Sequence, residues 1–239
     1  MWAFPGKDEH VKALYNELKS SFDNPRNLKD FIDSSFTEST SYAAVFVPGG
    51  HGAMIGIPED ENVGKILNWA HENDLFTISL CHGPGSFLST TLNGQEFLYK
   101  GYDVAVFPDA VDEQTPMIGY LPGNMPSGLS EKLKSLGANI VNTESDKTVV
   151  VDRKLITGAS PLASNELGKL AANTLLKELK KNHLLKRMKT IAVRVQTQPL
   201  FCFMSKLLII TELTIITLLL LYKPLAVVWT SQKDICILD

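Results

Sequence analysis

The 239-residue chain carries 44% hydrophobic and 21% charged residues and a net charge of −3, which excludes wholesale disorder and gives no basic field that would make nucleic acid the default partner. Three cysteines are too few for a disulfide framework and fit a reducing, cytoplasmic setting. Met1–Phe4 runs into Pro5, Lys7, Asp8 and Glu9 with neither the basic flank nor the apolar core of a secretory signal.

The averages conceal a division. Residues 183–239 hold seven basic and three acidic side chains, or +4, which leaves 16 basic against 23 acidic, or −7, in the remainder. That C-terminal stretch contains Cys202 and Cys236 and no glycine. We therefore divide the chain into cap or linker helices over 1–40, an α/β core over 41–182, and an apolar, basic tail over 183–239.

Along the chain, Val11, Leu14, Tyr15 and Leu18 recur at helical spacing and predict a helix over 7–20. Asn24-Pro25 starts a second, short helix carrying Leu28, Phe31 and Ile32. The apolar run from Ser41 to Pro48 reads as a strand buried on both faces, as in parallel sheets, and ends in Gly49-Gly50-His51-Gly52. Val63, Ile66, Leu67 and Ala70 form the buried stripe of a helix over 60–72, with Glu59-Asp60-Glu61 as its solvated start. Leu75 to Leu80 is a second buried strand, followed directly by Cys81-His82-Gly83-Pro84-Gly85 and a helical segment over 86–91. A third strand over 102–107, a Pro- and Gly-rich loop over 108–128 and a helix stopped by Gly137 come next. Further strands over 138–142 and 148–157 lead to Ser160-Pro161, which opens a long helix with Leu167, Leu170, Ala171, Thr174, Leu175 and Leu179 in its stripe. Strands alternating with helices predict an α/β fold with a mostly parallel sheet.

The chemistry concentrates at strand ends. Cys81 stands at the sharp turn from a buried strand into a helical segment, the place where a nucleophile is lifted out of the sheet. Helix N–H groups facing its sulfur are expected to lower the thiol pKa. His82 is the adjacent base or orienting group. Asp112, after the next strand, can hold the imidazole, with Asp109 as the competing carboxylate; either can instead cap the turn around Pro108. The N–H groups after Gly49 and after Cys81 are candidate oxyanion donors. His51 reads as a pocket residue, a ligand or a plain turn histidine, and His10 and His71 read as inert surface residues.

The strings Ala44-Val45-Phe46-Val47-Pro48-Gly49-Gly50-His51-Gly52, Ser79-Leu80-Cys81-His82-Gly83-Pro84, Phe107-Pro108-Asp109-Ala110-Val111-Asp112 and Leu155-Ile156-Thr157-Gly158-Ala159-Ser160-Pro161 together resemble the DJ/PfpI superfamily, in its heat-shock chaperone, glyoxalase III and protein deglycase branch. The resemblance covers residues 1–182. It implies a flavodoxin-like sandwich, Cys81 as nucleophile, His82 and Asp112 as partners, and the Gly50 and His82 N–H groups as oxyanion donors; Gly49 and His51 are candidate pocket residues beside them. It also implies cofactor-free conversion of methylglyoxal to D-lactate without glutathione, deglycation of early glyoxal adducts on proteins, a holdase activity toward unfolded clients, and a homodimer.

Two departures from the family pattern are expected to matter. The family begins with a βαβ unit that supplies an interior strand and a glutamate beside the cysteine, and this sequence starts where a linker or cap helix would be. Support for the thiolate is then reduced, and a strand edge and apolar surface are expected to be exposed. One family metal ligand aligns with Leu18, which cannot coordinate, so no metal is expected. Two alternatives remain: a holdase without catalysis, and a glutamine-amidotransferase or peptidase relative, against which the histidine directly after the cysteine argues. In the tail, the 16 residues from Leu207 to Tyr222 span about 24 Å as a helix, short of a ~30 Å hydrocarbon core, and carry Glu212 near the middle. The stretch reads as an apolar extension, with a membrane anchor as the lesser alternative.

Overall fold

The computed structural model describes residues 9–35, 42–114, 126, 128–194, 225–230 and 235–238. The two apolar runs form strands, β2 (Ala44–Val47) and β3 (Phe76–Leu80), paired in parallel with Ala44 opposite Phe76 and Val47 opposite Ser79. Between them lies α3 (Glu61–Glu72). Its N-cap is Asp60, whose Oδ1 accepts from the N–H groups of Asn62 and Val63 at 2.7 and 3.1 Å. The predicted stripe of Val63, Ile66, Leu67 and Ala70 is fully buried.

The sheet is mixed. Its central strands β8 (Leu225–Thr230), β2, β3 and β7 (Leu155–Gly158) run parallel, as the buried apolar runs predict. Its flanks are antiparallel: β6 (Val149–Asp152) beside β7, and β9 (Ile235–Leu238) between β8 and β1 (Arg26–Asn27). The single strand predicted over 148–157 is thus a hairpin, turned at Arg153, which adopts φ 55°. Two shorter strands, β4 (Asp103–Val104) and β5 (Asn139–Ile140), pair in parallel as a separate ribbon. Helices cover both faces. On one face, α2 (Leu28–Ser35), α3 and a 3-10 segment over Gly83–Gly94 enclose the larger core with Phe31, Ile66, Leu67, Phe87 and Tyr99. On the other, α6 (Ser164–Arg194) lays Leu167, Ala171 and Leu175 on Ala44, Phe76, Ile78 and Ile156.

Two expectations change. The helix α1 (Glu9–Asp23) forms, but Leu14 and Leu18 are only half-buried and Tyr15 is 52% exposed, so these three residues stay outside both cores. The edge of β2 expected to lie open is instead paired, Ala44–Phe46 with Leu225–Val227. The reason is that β2 presents a row of backbone donors and acceptors, and the β-branched, aromatic run Leu225–Thr230 is suited to satisfy them. Helix α6 runs from Ser164 through residue 183 to Arg194. No helix among the described residues is long and apolar enough to cross a membrane; the stretch 207–222 and Cys202 lie outside the described residues.

Candidate active site

The C-terminal ends of β2 and β3 bring the glycine turn and the thiol together. Cys81 follows β3 without a spacer and adopts φ 61°, a left-handed conformation that costs a residue bearing Cβ on the order of 1 kcal/mol. It is pinned on both sides: its N–H donates to the Gly158 carbonyl at 2.8 Å, and its carbonyl accepts from the Phe107 N–H at 2.9 Å. The turn requires small neighbours. A Cβ on Gly83 would stand 2.3 Å from Ser79 Oγ and 2.4 Å from the Val47 carbonyl oxygen. Gly49 has φ 87°, and a Cβ there would stand 2.0 Å from the Leu80 carbonyl oxygen. Gly49→Ala is therefore expected to lose on the order of 3 kcal/mol or more of stability, read as a lower urea midpoint. An unchanged midpoint would mean that the two strand ends can separate freely.

Cys81 Sγ lies 3.2 Å from His82 Nδ1. On the far side of the ring, His82 Nε2 lies 2.8 and 3.0 Å from the two oxygens of Asp112. Phe107 stacks against the imidazole with ring centroids 4.6 Å apart. His82 and Asp112 are both buried. An ionised carboxylate only accepts, so Nε2 carries the imidazole proton and Nδ1 offers its lone pair to the thiol. Burial pushes the Asp112 carboxyl up, but hydrogen bonds from His51 and His82 outweigh it and hold the group below its ordinary value.

The competition between carboxylates is resolved by α4 (Asp109–Asp112) and α5 (Leu129–Ser135). Asp109 accepts from the N–H groups of Ser130 and Glu131 at 3.0 and 3.1 Å and so caps α5. Asp112, one turn further on, faces His82. His51 joins them: its Nε2 is 3.4 Å from Asp112 Oδ1, and its ring centroid is 4.4 Å from that of His82. His10 and His71 are exposed on α1 and α3. Leu18, on α1, offers no donor to a metal. Sequence reasoning missed Phe107 as the surface under His82 and Thr157, whose Oγ1 accepts from the Ala105 N–H at 2.8 Å and ties the approach to Phe107 onto β7. An apolar residue before Pro108 looks like any strand residue, so no local signal marked Phe107.

No family model matches the chain. Among curated proteins, the protein/nucleic acid deglycase HchA of Escherichia coli O1:K1 is 50% identical over 175 residues, which cover 73% of this chain and 61% of the relative. The chain belongs to the DJ-1/PfpI superfamily. HchA of Escherichia coli K12 matches to the same extent, so the chain spans about three-fifths of the length of these relatives. A solved structure 28% identical superposes with a TM-score of 0.51, over 62% of this chain and 64% of the other. The Rapid Encystment Protein of Francisella tularensis, 22% identical with a TM-score of 0.50 over 62% of this chain and 66% of its own, shares the fold.

For this DJ-1/PfpI member, the state of the thiol departs from expectation. Burial pushes Cys81 up to about 12, and the backbone N–H groups of His82 and Gly50, which do point at the sulfur, lower it by less. Desolvation outweighs the dipoles because the sulfur is enclosed. The resting group is a thiol, with His82 Nδ1 3.2 Å away as an acceptor for its proton. Alkylation of Cys81 by iodoacetamide, followed by peptide mass spectrometry, is expected to keep accelerating as pH rises through 9 toward 12. A plateau reached near pH 7 would show a preformed thiolate instead.

Proposed function

We propose that the chain is a cysteine-dependent enzyme acting on small 2-oxoaldehydes. In this reading it converts methylglyoxal to D-lactate without glutathione and acts on the early adducts such aldehydes form on proteins. The observation that carries the reading is the relay of Cys81 Sγ, His82 and Asp112, with the Gly50 and His82 N–H groups directed at the same sulfur. The deglycase activity named for the relatives at 50% identity supports it.

The chemistry follows from those positions. Sγ adds to the aldehyde carbon while His82 Nδ1 takes the thiol proton, giving a hemithioacetal. The N–H groups of Gly50 and His82 stabilise the oxygen that gains charge. A proton leaves the first carbon and one is returned to the second, through an enediol. The first carbon is thereby oxidised to a thioester and the second reduced to a secondary alcohol. Water cleaves the C–S bond, releasing lactate and restoring the thiol. One water is consumed and no external oxidant or reductant is needed.

A protein or nucleobase adduct presents the same two-carbon unit, with an amine where the free aldehyde has water. Nucleic acid then enters as the carrier of an adduct rather than through charge attraction, in keeping with the net charge of −3. The test is loss of methylglyoxal and gain of D-lactate by the purified full chain without glutathione. Absence of both sinks the reading. For the holdase alternative, the large exposed apolar side chains among the described residues are Tyr15, Ile55, Val141, Val151 and Leu162, and suppression of client aggregation that survives Cys81→Ala would favour it.

A further inference from the structure

We propose that His51, His82 and Asp112 form a Zn2+ site whose occupation shuts off the thiol. One ligand atom from each of the three lies within 4.8 Å of the others. Two imidazole nitrogens and one carboxylate oxygen are a donor set that suits zinc, with the remaining position left for water. Calcium and magnesium prefer all-oxygen shells. At zinc–ligand distances of about 2.0–2.2 Å, tetrahedral ligand atoms stand roughly 3.3–3.5 Å apart. The 3.4 Å between His51 Nε2 and Asp112 Oδ1 already meets this; the 2.8–3.0 Å between His82 Nε2 and the carboxylate must open, and the widest separation in the set, within 4.8 Å, must close as the ion binds.

The site is enclosed. The side chains of His82 and Asp112 are 0% and 2% exposed and that of His51 is 18% exposed, but His51 Nε2 itself is buried, so entry of an ion requires a local opening beside His51. The carboxylate supplies the negative charge that an imidazole pair lacks. The cluster does not include Leu18.

The consequence for catalysis is a change of tautomer. Zinc on His82 Nε2 displaces the proton that Nε2 gives to Asp112, and a neutral imidazole then carries its proton on Nδ1. Nδ1, 3.2 Å from Sγ, becomes a donor and can no longer take the thiol proton. Zinc thus competes with the proton that joins His82 to Asp112.

The test titrates the full chain with Zn2+ against a chromophoric chelator. The expected result is one Zn2+ per chain, with affinity reduced by more than about tenfold in His51→Ala and in Asp112→Asn, and unchanged in Cys81→Ser. Circular dichroism confirms that each variant is folded. Because Asp112 is buried and its variant is the one at risk, Co2+ bound to the unmodified chain provides a second readout: visible d–d bands without a thiolate charge-transfer band. No binding, binding that persists in a folded His51→Ala variant, or a sulfur charge-transfer band would overturn the site. Zn2+ is further expected to stop methylglyoxal loss, with recovery on chelation; full turnover of the zinc-loaded chain would overturn the switch. The binding arm is independent of the proposed activity. A chain with one His51-dependent Zn2+ and no turnover in either state supports the site and overturns the activity reading.

Discussion

Cys81→Ala is expected to reduce methylglyoxal conversion by at least about 10^4-fold while leaving the fold intact. The two halves of this expectation have separate causes. In the proposed mechanism Sγ is the atom that bonds to the aldehyde, and an alanine side chain offers no replacement. Stability changes little because both residues bear a Cβ and both must adopt φ near 61°, so the backbone strain at this turn is the same before and after. The pins from Gly158 and Phe107 use the backbone of residue 81 and survive the change. D-lactate formation and a urea titration of the same preparation separate the two effects. Conversion that persists at more than a few per cent would assign the nucleophile elsewhere.

Asp112→Asn is expected to cost about 10^3- to 10^4-fold in kcat with little change in KM. The carboxylate accepts from His82 and His51, and only an acceptor on that side keeps the His82 proton on Nε2 and the lone pair facing Sγ. An asparagine can turn its amide nitrogen toward Nε2, which moves the imidazole proton to Nδ1 and leaves the thiol without a base. The same change predicts a stability difference with a definite pH dependence. The folded carboxyl sits below its ordinary value of 3.8, so its stabilising contribution is present above that value and disappears as pH falls through the lower, folded one. The gap in urea midpoint between the unmodified chain and Asp112→Asn is therefore expected at pH 7 and absent well below pH 3.8. An equal gap at both pH values would mean that the loss comes from packing rather than charge.

Much of this site could be read from local patterns. Continuous apolar runs marked β2 and β3, the first of them ending in Gly49-Gly50, and the stripe of α3 marked its buried face. The abrupt passage from Leu80 to Cys81-His82-Gly83 marked a sharp turn with Cys81 as its candidate nucleophile. Asp109 and Asp112 were not separable in this way. They lie three residues apart after the same proline and carry the same group. What distinguishes them is the N-terminus of α5, which takes Asp109 as its cap, and that helix begins some twenty residues later in the chain.

The thiol illustrates the same boundary from the side of energetics. A cysteine before a helical segment, followed by histidine, carries a local argument for a lowered pKa, and the predicted N–H donors do face the sulfur. The sign of the net effect depends on how completely the sulfur is withdrawn from water, which is set by packing from β2, the glycine turn and the Phe107 segment. The long-range pairing of β8 with β2 is a further case, because a strand's partner is chosen by which edge is open rather than by its own composition. Residue type and short-range spacing thus suffice to name the candidate groups and the elements that bear them, because these depend on covalent neighbours and helical or strand periodicity. Which carboxylate meets the imidazole, whether the sulfur rests as thiol, and how close His51 comes to both depend on contacts between segments distant in the chain, and those arise only when the cores close.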